Sequence, residues 1–390
     1  MLSTQAGGFD LKQRVAGNVK VHPSGCAHFL EHQMFRLNGQ DVTDEFAAMG
    51  AQTNAFTSFT KTAYFFQTTS EPYRPLSLLM DFVQTLDIDY DSVEKEKGII
   101  LSEYEMYQHS PEHRLLKSTW ESMYVSHPMK VDILGTRQDI SQMTVQQLQT
   151  FYDLNYDSSR LTLVGITGRD IEQTMKVIEQ AQKKIASKHP EKVETIFGEH
   201  TDKVWRTEFE DQMDISTPYV CVGYKLSSVQ DKKQCIQTDV AIQMRLDSLF
   251  SPLNENYHSW LEQEIITPVM GAECDFSEDH GYLLFYAQTH HPEKFVELVQ
   301  SLIDQLQNEI MDQDTFEALH NRLIAQNIRG IDNFENLAVD LLEARHNGFQ
   351  LMQAFEWTDQ LTLEDVTSIC RDLDLSNHTI TTIRPKSSKS

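Results

Sequence analysis

The chain has 390 residues, 40% of them hydrophobic and 23% charged, with a formal net charge of −25 at pH 7. That length allows two or three domains of roughly 100–200 residues each, and no apolar run approaches the ~18–20 residues of a membrane-spanning helix. The acidity disfavours nucleic acid and anionic membranes, whose phosphates repel such a surface, and fits cationic substrates, a basic partner or simply a soluble acidic exterior.

Five scattered cysteines without a C-x-x-C pair point to free thiols. The opening Met1-Leu2-Ser3-Thr4-Gln5-Ala6 has neither the charged nor the apolar part of a secretory signal, so the chain reads as cytoplasmic. Loose alternation of Phe9, Leu11, Val15, Val19 and Val21 predicts a strand over 9–21 leading into a helix. Pro23 suits that helix's first turn, with His22 or Ser24 near the cap and Asn38-Gly39 as its stop. A short helix follows at 44–49, bounded by Thr43 and Gly50.

Next come a polar, β-prone run over 51–59 and, after a turn, a second run over 62–68, which together read as a hairpin. The polarity of the first arm suits an edge strand whose backbone groups are open to an extended peptide. Leu76, Leu79, Met80, Val83 and Leu86 mark a helix, and Asp91-Ser92 caps another that runs from Val93 to about Tyr107. On the latter, Glu96 and Glu103 lie almost two full turns apart and share a face, with Ile99 and Ile100 between them. A carboxylate on a partly buried face needs a partner, and a metal or a histidine would serve. A solvated acidic helix with lysine pairs is the other reading, and it suits Glu94 and Lys95 better than Glu103.

The chain also appears twice in pattern. Thr144, Leu148, Phe151 and the run from Ser158 to Leu163 match Thr362, Val366, Ile369 and the run from Ser376 to Thr381 at a constant offset, as a helix followed by a strand. Two related domains are therefore expected. Between the halves a helix over 171–185 precedes a surface linker at 187–192. The second half alternates strands (219–224, 282–288) with long amphipathic helices (292–310, 314–326, 334–347). It repeats no histidine motif, and the adjacent His290 and His291 point apart and read as loop residues.

The chemistry is concentrated in His28-Phe29-Leu30-Glu31-His32. On a helix, His28 and His32 stack on one face and Glu31 lies beside them. Two imidazoles one turn apart can take adjacent corners of a zinc tetrahedron, and a carboxylate that does not bind the metal can take a proton from water there. This H-x-x-E-H order is the inverted zincin motif. Cys26, two residues before His28, faces away and reads as packing. The same five letters also fit a helix with two surface histidines, and a third ligand decides between the readings.

With these residues placed, the sequence resembles the pitrilysin (M16, insulinase-like) family of zinc metallopeptidases. The resemblance rests on His28, Glu31 and His32, on Gly50 to Thr57 with Tyr64, on Glu96 and Glu103, and on the strand 161–168. It is strong to about residue 170 and looser beyond, and it is closest in kind to the short bacterial members. It implies an α+β fold of two homologous α/β sandwich domains, each a mostly antiparallel sheet covered by helices. The implied division is a zinc-bearing catalytic domain at 1–186, a linker at 187–200 and a second domain without the metal motif at 201–390. It further implies Zn2+ held by His28, His32 and Glu103 with water in the fourth position. Glu31 is then the general base and later proton donor, Glu96 a supporting catalytic carboxylate, and Asn54 and Ala55 lie on the strand that pairs with a peptide substrate.

Three departures from the family pattern carry expectations of their own. The motif begins 28 residues in, which implies a start downstream of the usual one or a sheet edge in need of a partner. The spacing from His32 to Glu103 is slightly short, which a trimmed loop near Thr69-Ser70-Glu71 absorbs. In the stretch 257–268, Glu262 and Pro268 stand near the slots where active members often present an arginine and a tyrosine to the substrate backbone. That points to a heterodimer in which a second M16-like subunit supplies the arginine/tyrosine clamp. A non-catalytic structural or binding subunit of a peptidase complex is the alternative.

Overall fold

The computed structural model describes residues 1–185, 191–198, 201 and 203–386, so 187–190 and 199–200 of the expected linker lie outside the described residues. Two compact units interleave along the chain. The first comprises Met1–Met106, Val131–Gly198 and Ala338–His346, and the second Tyr107–Lys130, Glu199–Leu337 and Asn347–Ser390. Each is built on its own mostly antiparallel sheet with helices packed on it.

The first unit's main sheet has the order Ala51–Thr57, Thr62–Thr68, Leu2–Thr4, Leu161–Leu163, with every neighbouring pair antiparallel. The expected hairpin is therefore present, with Ala51–Thr57 at the sheet edge. The strand expected over 9–21 is instead a separate hairpin, Lys12–Val15 with Asn18–Val21, joined by Val193–Thr195 in a small sheet of its own. Its reversal at Ala16 and Gly17, both at positive φ, is a two-residue turn that the loose alternation does not register. Val19 and Val21 are 53% and 69% exposed, so their alternation marks no buried face.

The motif helix is Cys26–Met34. No side chain caps it; its entry is set by Gly25 at φ 78°, where a Cβ would collide with the Leu134 carbonyl, while one on Gly135 would collide with the Ser24 carbonyl. The two loops thus cross with backbone against backbone. Ser24 ties the crossing by bonding Asp139 and accepting from Thr136 N. The helix stops at Met34, and Asn38-Gly39 turns the small hairpin Arg36–Leu37 and Gln40–Asp41 rather than ending the helix. The next helix, Val42–Ala48, starts earlier than its spacing suggests because Asp41 caps it, accepting from Thr43 N at 2.8 Å.

Phe29, Leu30 and Met34 pack with Phe46, Tyr64, Phe82 and Phe151 in one buried cluster. Burial of each such side chain contributes roughly 1.5–3 kcal/mol, which offsets the cost of holding two imidazoles and a carboxylate in the same layer. Strand Thr62–Thr68 alternates across the sheet: Tyr64 faces the motif helix, whereas Ala63 and Phe65 face Ala338 and Leu342. Those contacts, with the Lys61–Glu343 ion pair, account for the late segment Ala338–His346 in this unit.

The second unit's sheet has the order Glu208–Met213, His378–Pro385, Tyr219–Leu226, Gly281–Gln288, Met270–Phe276; only the first pair is parallel. All eight residues of Tyr219–Leu226 are buried because both faces are covered. Gly223 lies under Thr119 and Met123 of helix Pro111–Met123, while Val220 and Val222 face a cluster with Ile242, Phe295 and Val299.

The internal repeat is visible as one motif used in each unit. Thr144 and Thr362 each close a capping box, with Gln147 and Asp365, on helices Val145–Asn155 and Leu363–Arg371. Each helix leads into a strand of its unit's sheet, Leu161–Leu163 or His378–Pro385. All five cysteines are free thiols, and among the described residues no helix is long and apolar enough to cross a membrane.

Candidate metal centre

The motif helix presents His28 and His32 from successive turns, with ring centroids 4.7 Å apart. Helix Tyr90–Gln108 presents Glu96 and Glu103 towards them. His28 Nε2 lies 3.8 Å and His32 Nε2 3.6 Å from the same oxygen, Glu103 Oε2. One ligand atom from each of the three residues lies within 4.8 Å of the others. Ligands about 2.0–2.2 Å from a tetrahedral zinc sit roughly 3.3–3.6 Å apart, so the cluster fits the ion with small side-chain adjustments. Two imidazoles and a carboxylate also accept manganese or cobalt.

The electrostatics prepare the two histidines differently. Burial, with help from neighbouring His32, pushes His28 down to about 4, so at neutral pH its imidazole is uncharged and has a lone pair to offer. Burial would lower His32 too, but the hydrogen bond and charge of Glu96, with Glu31 and Glu103, outweigh it and raise its pKa. His32 Nδ1 lies 2.9 Å from Glu96 Oε1. Donation there turns Nε2 towards Glu103 and fixes the tautomer. His28 Nδ1 is buried without such a partner among the described residues.

Glu96 therefore bonds His32 from outside the three-residue cluster. Glu96→Ala is expected to weaken zinc binding by about 10–100-fold, the usual effect of losing an orienting partner; a chelator competition titration measures it.

Glu31 sits beside the cluster without belonging to it. It is 9% exposed, and Thr57 Oγ1 donates to its Oε2 at 2.5 Å. Burial raises its pKa, and the Thr57 hydrogen bond opposes that shift. Glu103 is also raised by burial, against the charge of His32.

Asn54 and Ala55 occupy the edge strand that ends at Thr57. The exposed Asn54 turns its Oδ1 back to accept from Ala55 N at 2.9 Å. Among the described residues the strand pairs on one side only.

Two residues at this site carry no sequence signal of their own. Thr57 lies in a run legible only as strand, and Asp132, whose charge acts on both His28 and Glu103, comes from a distant loop.

A second cluster, His127, Asp279 and His280, lies in the other unit. His127 Nδ1 accepts from Met129 N at 3.1 Å, so its Nε2–H donates to Asp279 Oδ2 at 2.9 Å. His280 bonds Asp279 and Asp275 through its two nitrogens, at 3.1 and 3.0 Å. Burial opposes its charge, but those two carboxylates raise it to about 9. The network satisfies its members as an ionic lock and needs no cation.

A folded-state pKa raised from 6.5 to about 9 means that the lock's stabilisation is full below pH 6.5 and is lost as pH rises through 9. His280→Ala is expected to destabilise the protein by about 2–3 kcal/mol at pH 7. Thermal unfolding followed to pH 10 should show that difference shrinking.

The sequence and fold comparisons agree with one another. Residues 20–137 match the profile described as insulinase (peptidase family M16), and residues 142–323 match the one described as the peptidase M16 inactive domain. The chain is 31% identical over 375 residues to the uncharacterized zinc protease YmfH of Bacillus subtilis, covering 95% of this chain and 87% of the relative. It is 30% identical over 172 residues, 43% of this chain and 36% of the relative, to the beta subunit of the mitochondrial-processing peptidase of Neurospora crassa. A crystal structure described as an M16-like peptidase from Alicyclobacillus acidocaldarius matches with a TM-score of 0.92 at 29% identity, covering 99% of this chain and 92% of that one. A protease from Helicobacter pylori shares the fold at a TM-score of 0.81 and 18% identity, covering 98% and 93%. The near-full-length relationship, together with the two M16 profiles, establishes that the chain belongs to the M16 (insulinase-like) peptidase family, as a member of the short bacterial type.

Proposed function

We propose that the chain is a zinc-dependent endopeptidase and the metal-bearing subunit of a two-chain chamber. The observation that supports this best is the convergence of His28, His32 and Glu103 beside Glu31, which is itself hydrogen-bonded to the end of an open strand edge. Zinc held by those three ligands supplies Lewis acidity, polarising a scissile carbonyl and making water a stronger acid. His28 offers Nε2 because burial keeps it neutral, and His32 because Glu96 holds its other nitrogen. Glu31 takes the proton from the attacking water and later passes it to the leaving amine. Burial, by raising its pKa, favours holding that proton between the two transfers. The substrate enters as an extended peptide that adds to strand Ala51–Thr57. Asn54 then releases the Ala55 N–H to the incoming strand.

The proposed second subunit follows from residues 257–268. Helix Tyr257–Glu262 ends on an exposed glutamate, and Pro268 follows, where the family resemblance implies an arginine and a tyrosine. The Neurospora relative is named as a subunit, which supports pairing. The same two positions favour a second reading, a structural subunit that keeps the metal ligands without cleaving.

The test is to incubate the zinc-loaded chain with unstructured peptides, alone and with candidate M16-like partners, and to read products by mass spectrometry. Internal cuts that a chelator abolishes, and that a partner enhances, support the endopeptidase reading. Full zinc loading with no cuts in any combination supports the structural one.

A further inference from the structure

We infer that Thr57 is a positioning residue for the general base: its hydroxyl holds Glu31 and ties that carboxylate to the strand on which a peptide is laid. The inference rests on the endopeptidase reading above. Thr57 is the last residue of the edge strand Ala51–Thr57, and its Oγ1 lies 2.5 Å from Glu31 Oε2. Among the described residues it is the hydrogen-bond donor that Glu31 has. The neighbours fix the direction of the proton. Thr62, opposite Thr57 in the hairpin, gives its own hydroxyl proton to Ala6 O at 2.9 Å. It stands 3.5 Å from Thr57 Oγ1, too far to compete for the Thr57 proton.

The arrangement holds Glu31 at both ends. The motif helix fixes its backbone, and Thr57 fixes the far end of a side chain with several rotatable bonds, a choice that burial alone does not make. A carboxylate accepts through both oxygens. Thr57 occupies Oε2, which leaves Oε1 for the proton that Glu31 is to take. Because Thr57's backbone belongs to the edge strand, pairing of a peptide along that strand and orientation of the base are linked through one short element. Valine would preserve the β-branched shape and strand preference while leaving Oε2 without its donor.

The test compares Thr57→Val and Thr57→Ser in the zinc-loaded chain, with the partner subunit if cleavage requires it. Thr57→Val is expected to lower kcat by about 10–100-fold with KM changed less than about twofold, as misplacement of a catalytic group does. Zinc content should stay at the wild-type level, and Thr57→Ser should stay within about threefold of wild-type kcat. In crystals of the zinc-loaded variants, the Glu31 carboxylate should leave its position in Thr57→Val and keep it in Thr57→Ser. An unchanged kcat and Glu31 position in Thr57→Val, loss of zinc from it, or a Thr57→Ser as impaired as Thr57→Val would each overturn the assignment. If the wild-type protein cleaves nothing, the peptidase reading fails by itself, and the crystal comparison still decides whether Thr57 places Glu31.

Discussion

Glu31→Gln is expected to lower kcat by about 10²–10⁴-fold, the range contributed by a positioned general base, while zinc stays bound at the wild-type level. Glutamine has the same shape, and its amide oxygen can still accept from Thr57. It cannot take a proton from water at neutral pH, so the loss isolates proton transfer from packing. Zinc retention follows because Glu31 stands outside the cluster formed by His28, His32 and Glu103. Peptide cleavage rates and elemental analysis of the same preparation measure both halves. Cleavage within tenfold of wild type would remove Glu31 from the role of base.

The second large effect is expected at His32. His32→Ala deletes one of the three proposed ligands and also strips Glu96 of the imidazole it holds at 2.9 Å. The affinity for zinc should fall by more than about 10³-fold, well beyond the 10–100-fold effect of an outer partner, so the variant should purify without metal. The ranking matters more than either value. If His32 is a ligand and Glu96 its orienting partner, His32→Ala must be far worse than Glu96→Ala in the same chelator titration. Equal losses would mean that Glu96 enters the coordination sphere, and the geometry in which Glu103 Oε2 faces both Nε2 atoms would have been misread.

Much of this arrangement is legible in the sequence because helical periodicity turns spacing into a face. His28 and His32 sit four apart and Glu96 and Glu103 seven apart, and the structure turns each pair towards the other. The hairpin reads equally well, since β-prone runs over 51–59 and 62–68 flank a short turn. The two-sheet α+β architecture follows from the family resemblance rather than from any single pattern. What does not read has physical causes. Leu2–Thr4 is too short to display alternation, yet it lies inside the first sheet between Thr62–Thr68 and Leu161–Leu163. Val19 and Val21 alternate in a solvent-exposed hairpin, so apolar periodicity there reports no core. Thr57 acts through a contact across the fold, and a threonine in a strand is ordinary in sequence. His280 is Asp279's chain neighbour, but His127 meets that pair only when helix Pro111–Met123 and its following loop dock on the second unit's sheet.

Every assignment above depends on a divalent metal on the motif helix, and anomalous diffraction at the zinc edge from zinc-loaded crystals would locate it. One strong peak is expected about 2.0–2.2 Å from His28 Nε2, His32 Nε2 and a Glu103 carboxylate oxygen. No peak there at full loading, or a peak at His127, Asp279 and His280 instead, would contradict it.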